Sequence, residues 1–157
     1  MGLDMYFYLR KWESKGHWDD DQSKVLDYDD ALKELEKDIY ERNFKSTETS
    51  YQVGYFRKFN ALHNYIVNEF AKGVDECQKI YLDITDIKDL IQTLKSITKD
   101  NASQVLPTQS GFFFGSLEYD EWYFKDVEYA IELFEKVLKV LETDNKGKWD
   151  FYYQASW

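Results

Sequence analysis

The chain has one cysteine, one proline and two histidines in 157 residues. The lone cysteine, Cys77, excludes an internal disulfide, which fits a reducing compartment such as the cytoplasm. Two histidines make any zinc site poor in nitrogen ligands. The acidic run "HWDDD" at 17–21 lacks the alternating carboxylates and the glycine of a calcium loop, so it reads as a solvated loop. No metal or other cofactor is expected. No apolar run approaches membrane-spanning length. The opening "MGLDMYFYLRKW" lacks the basic region and long apolar stretch of a secretion signal. Tyr6 stands where a myristoylation signal needs Ser or Thr. We therefore expect a cytoplasmic protein without a membrane partner. Phosphate-binding glycine loops, dinucleotide fingerprints and nucleophile elbows are also missing.

Acidic residues are abundant. Thirty Asp and Glu against 20 Lys and Arg give a formal charge of −10. Such a surface repels a phosphate backbone, so duplex nucleic acid is not an expected partner. A local basic pocket for a small anion remains compatible with it. Aromatics are abundant too, with 13 Tyr, 11 Phe and 5 Trp. They serve equally as core filler and as flat recognition surfaces.

The chain reads as one α+β domain over 1–157, without internal repeat or linker. Its small mixed or antiparallel sheet includes the N- and C-terminal strands and packs with about four helices. A strand is predicted at 3–12, with Leu3, Met5, Phe7 and Leu9 on one face. Loop follows over 13–26, then a helix at 28–43 with Asp27 as N-cap. Polar residues 46–50 read as loop, and 51–56 as a strand with Gly54 at a bulge. A helix is predicted at 58–72, closed by Gly73. A strand at 79–84 precedes a helix at 86–98 capped by Thr85. Residues 99–111 read as loop, Phe112–Phe114 as strand-like, 120–142 as a long helix and 148–157 as the last strand. The long helix carries two apolar stripes: Tyr123, Val127, Ile131, Phe134, Leu138 and Leu141 on one side, Trp122, Tyr129, Leu133 and Val140 on the other. A surface helix normally shows one. The second needs cover, either from the same chain or from another subunit, which would make a homo-oligomer through the 120–142 helix.

Two stretches offer candidate chemistry. In "YFRKFNALHNYIV" (55–67), Arg57 and Lys58 stand at a helix start, where free amides and cations receive anions. Asn60, His63 and Asn64 follow at i, i+3, i+4 on one face. In "LPTQSGFFFGSLEYDEWYF" (106–124), Gln109 and Ser110 lie beside an aromatic run. Aromatic faces with a few fixed polar groups suit a small-molecule site. The same run also suits a plain core strand. Cys77 has Asp75 and Glu76 as neighbours, which would raise its thiol pKa, so a nucleophile paired with His63 has little behind it.

"MGLDMYFYL", "YFRKFNALHNYIV", "GVDEC", the 106–124 stretch and the closing "WDFYYQASW" together resemble a family of small proteins encoded by tailed bacteriophages and prophages. The likeness covers nearly the whole chain. Members often carry Trp where this chain has Phe56. The resemblance implies action in the cytoplasm of an infected bacterium, and carries over no catalytic residues.

The leading expectation is a non-enzymatic binder of a small nucleotide-like molecule with a counter-defence role. Its candidate site is Arg57, Asn60, His63, Asn64, Gln109, Ser110, Phe113, Tyr119, Trp122 and Tyr153. The alternative is an acidic protein-interaction module, or nucleic-acid mimic, acting on a host protein. A small hydrolase using His63 and acidic residues ranks third.

Overall fold

The computed structural model describes residues 2–15, 45–111, 114–144 and 147–157, with backbone only for 13–15 and 45–47. The chain divides into two compact units, 1–10 with 50–157, and 11–49. Among the described residues, the second unit comprises the outer ends of two strands. The helix expected at 28–43 lies outside the described residues.

The fold is α+β; among the described residues it has a four-stranded antiparallel sheet and four helices. Strands β1 (Asp4–Lys15), β2 (Lys45–Arg57), β3 (Ile80–Tyr81) and β4 (Trp149–Ser156) lie in the order β2-β1-β4-β3. The N- and C-terminal strands are therefore central neighbours. Their contacts run in opposite directions: Arg10 meets Asp150, and Tyr8 stacks on Tyr152. Register between β3 and β4 pairs Ile80 with Tyr153 and Tyr81 with Tyr152.

β2 is longer than predicted. Residues 46–50, read as loop, belong to it. Ser and Thr are compatible with a strand, and polar side chains suit the edge position β2 occupies. β1 likewise runs on through 13–15.

Alternation along β1 sends Leu3, Met5, Phe7 and Leu9 inward, all buried. Phe7 is fully buried among Phe56, Phe134, Phe151 and Tyr153. The opposite face carries a row of rings across the sheet. Tyr55, Tyr6, Tyr8, Tyr152 and Tyr81 follow one another at centroid spacings of 5.4, 6.3, 5.0 and 5.5 Å. Arg10 lies over the Tyr81 ring and Lys79 over that of Tyr152.

Helix α1 (Asn60–Ala71) starts two residues later than predicted, because Lys58 has φ +64° and cannot be helical. The Lys58 N–H instead donates to the Leu3 carbonyl at 2.8 Å. The helix ends as Lys72 turns left-handed, one residue before Gly73. Helix α2 (Ile84–Lys95) is capped by Asp83, not Thr85. Asp83 accepts from the Asp86 N–H, and Asp86 accepts from the Asp83 N–H, both at 2.9 Å. The 99–111 segment holds a one-turn helix, α3 (Ala102–Val105). Phe114 is not in a strand; its N–H turns back to the Gly111 carbonyl at 3.2 Å.

Helix α4 (Glu121–Thr143) begins at Asp120, whose carboxylate accepts from the Trp122 and Tyr123 N–H groups. α2 packs along α4, with cross-pairs Lys88–Glu142 and Lys95–Glu135 that set the two helices antiparallel. The second apolar stripe of α4 is covered in part by this chain's own edge strand. Leu133 is buried over Gly54, and Tyr129 packs on Phe56 at 4.9 Å. Gly54 is the close approach that lets helix and strand meet, since a Cβ there would lie 2.3 Å from Leu133. Trp122, Tyr129 and Val140 remain exposed.

Candidate functional site

A cavity of about 250 Å³ opens where β2 runs into α1. Arg57 and Lys58 line it from the strand end, Thr108, Gly115 and Ser116 from the segment before α4, and Trp122, Tyr123 and Asp126 from α4 itself. It is about half open to solvent and slightly smaller than the roughly 300 Å³ at which drug-sized sites begin.

Local sequence explains its shape. The left-handed Lys58 turns the chain from strand to helix. Gly115, at φ +95°, fits against it, where a Cβ would lie 2.9 Å from the Lys58 Cβ. Asn60 is buried and fully engaged. Its Nδ2 donates to the carbonyls of Phe114 at 3.0 Å and Ser116 at 2.9 Å, and its Oδ1 accepts from the Gln109 N–H at 2.9 Å. One side chain on α1 thus holds both limbs of the 106–120 segment. The Tyr119 hydroxyl accepts from the Thr108 N–H at 3.1 Å, and Tyr123 donates to the Leu106 carbonyl at 2.9 Å. Burial, and secondarily Tyr119, pushes the Tyr123 phenol up and keeps it protonated.

Electrostatically the cavity is mixed. Arg57 and Lys58 are exposed, and among the described residues neither side chain makes a hydrogen bond or ion pair. No side chain caps the first turn of α1, and none of its residues there is acidic. The Asn60 N–H donates to the Lys58 carbonyl at 2.9 Å, which leaves the Ala61 and Leu62 amides as the electropositive end of the helix. On the other side, Glu118, Asp120 and Asp126 contribute carboxylates. Burial, then the neighbouring Asp120, pushes the Asp126 carboxyl up to about 6. The Trp122 indole is 71% exposed, with Lys125 over its ring at 4.7 Å.

Of the residues singled out from sequence, Arg57, Asn60 and Trp122 line this cavity, Asn60 with its polar atoms already used. Gln109 and Ser110 are exposed next to it, and Tyr119 braces its wall. Asn64 is half-buried and accepts from Asn68 at 2.7 Å. Phe113 lies outside the described residues. His63 and Tyr153 are 1% exposed and belong to the core. The Tyr153 hydroxyl is 2.6 Å from His63 Nδ1, and Asp75 is 3.0 Å from His63 Nε2. Both ring nitrogens are therefore occupied, and neither is left for Cys77. Sequence reading missed Thr108 and Asp126. Asp126 follows Trp122 by four residues and so shares its helix face, a spacing legible in the sequence.

Among the described residues, no group of three or more His, Cys, Asp or Glu is placed to hold a metal ion, and no helix is long and apolar enough to cross a membrane. No protein-family model, curated protein or solved structure matches the chain.

Proposed function

We propose that the protein binds, without catalysis, a small anionic aromatic ligand of the nucleotide type in the cavity at the head of α1. The observation that carries this reading is the pair Arg57 and Lys58, unpartnered beside an uncapped helix start and a cavity wall bearing an exposed indole. A phosphate meets the cations and the α1 amides. Trp122 supplies a stacking face, and the carboxylates accept from ring N–H groups. The likeness to phage-encoded proteins supports an infected bacterium as the setting and a nucleotide messenger of host defence as the ligand class. The alternative, an acidic module docking on a host protein, draws on the outer face of α4 with Trp122 and Tyr129. Lysines pair with Glu121 and Glu132 there, which weakens any mimicry of a polyanion.

Titration calorimetry with a panel of mono-, di- and cyclic nucleotides tests the reading. A binder is expected, with affinity reduced roughly tenfold or more in Arg57→Ala and Lys58→Ala, as for loss of a charge-assisted contact. No heat from any nucleotide overturns it.

A further inference from the structure

Three carboxylates line the cavity, and their surroundings set one of them apart. Asp120 is spent on the head of α4, where it accepts from the Trp122 and Tyr123 N–H groups, both at 3.0 Å. Glu118 is exposed, so water solvates it. Asp126 is half-buried, and among the described residues its carboxylate makes no hydrogen bond or ion pair. A carboxylate drawn away from water without a donor is costly. Burial, and the charge of Asp120 beside it, push this acid up to about 6. At neutral pH it is still mainly ionised, and a ligand that brings N–H donors relieves it.

Trp122 precedes Asp126 by four residues on the same face of α4, about 6 Å back along the helix axis. Lys125 lies over the indole, and at 71% exposure the ring keeps a surface for stacking. Arg57 and Lys58 bring positive charge to the same cavity from the end of β2. A base stacked on the indole therefore has a carboxylate one helical turn away to read its edge, and cations to receive its phosphate.

The carboxylate decides which base. When ionised it accepts at two oxygens and donates nothing. Guanine presents two donors side by side, N1–H and the N2 amino group, which point in parallel at such a pair of oxygens. Adenine and cytosine set a ring-nitrogen acceptor beside their one amino donor, so a lone pair faces the second oxygen. Uracil holds one N–H between two carbonyls. We infer that the cavity selects guanine, with Asp126 accepting from N1–H and N2–H, Trp122 stacking on the ring, and Arg57 and Lys58 holding the phosphate. This rests on the ligand reading above and adds to it the identity of the base.

Titration calorimetry with guanosine, inosine, adenosine and xanthosine 5′-monophosphates at pH 7.5 tests the inference, since the four share one phosphate and differ in the base edge. Wild type is expected to bind the guanosine nucleotide roughly tenfold or more tighter than the other three, inosine losing because it lacks the N2 amino group. Asp126→Asn removes a charge that burial disfavours, so the variant is expected to fold. Its amide accepts from N1–H but donates where the carboxylate accepted. Guanosine nucleotide affinity should therefore fall roughly tenfold, and the xanthosine nucleotide, with a carbonyl at C2, should become the tightest of the four. Trp122→Ala, at an exposed position, should weaken all four and keep their order. Equal affinity for the four bases in wild type overturns the guanine assignment and leaves the ligand reading standing. An unchanged guanine preference in Asp126→Asn, or unchanged affinities in Trp122→Ala, overturns the roles given to those residues. No heat from any of the four overturns the inference, whether or not another nucleotide binds.

Discussion

Asp126 and His63 show how burial acts on opposite charge types. Burying a carboxylate favours its neutral form, so Asp126 titrates near 6, above its ordinary 3.8. The folded state then holds more protons than the unfolded chain between about 3.8 and 6. Stability contributed by this residue falls as pH rises through that window. Asp126→Asn should therefore stabilise the protein at pH 7, by about 1 kcal/mol once solvent screening of a half-buried group is allowed for. The gain should vanish below pH 4, a pattern that denaturant melts at both pH values would show; equal gains at both would contradict it. For His63 the sign is reversed. Its folded value lies below 6.5, the unfolded chain binds more protons there, and stability falls as pH falls from 6.5. Asn60 makes a third point. Its position in the sequence suggested ligand contact, but its three hydrogen bonds go to the chain itself.

At the scale of elements, side-chain caps fix where two of the helices begin. Asp83 and Asp86 exchange bonds at the head of α2, and Asp120 holds two amides at the head of α4. Asp83→Ala should cost about 1 kcal/mol, read as a lower denaturant midpoint with an unchanged slope. No loss would mean the box is idle. α1 departs from this pattern, with an uncapped start just after two cations, Arg57 and Lys58. A polar cap in that place would improve helix stability. α4 also explains its own sequence. Two apolar stripes called for cover from this chain or from another subunit; within the chain, Leu133 finds Gly54 of β2 and Phe134 finds Phe7 and Phe151.

For the molecule as a whole, one aromatic cluster unites the ends of the chain. Phe7 lies near residue 1 and Phe151 near residue 157, and their rings stack at 6.0 Å in the middle of the sheet. Phe7→Ala removes a ring shared by both central strands and α4, and should cost about 3–5 kcal/mol. A thermal melt checks this, and a shift of only a degree or two would show that the ring is not central.

Much of this was written locally. The 3,5,7,9 alternation placed one face of β1 inside, whereas β4 buries Tyr152 as well as Phe151, Tyr153 and Ala155. The periodic apolar residues of α2 and α4 set those helices to within a few residues. Such patterns need only near neighbours, which is why they are legible in a single sequence. Composition likewise fixed the acidic balance and excluded a disulfide. The site was only half legible. Arg57 and Trp122 were identifiable as types of residue, but 65 positions of chain separate them, and only folding puts them on one cavity. The same folding took His63 and Tyr153 out of reach, because a helix face and a strand face that each looked available were pressed against one another. Tertiary packing decided which polar side chains meet solvent and which meet each other, since that depends on contacts between segments whose separation in sequence carries no trace of their distance in space.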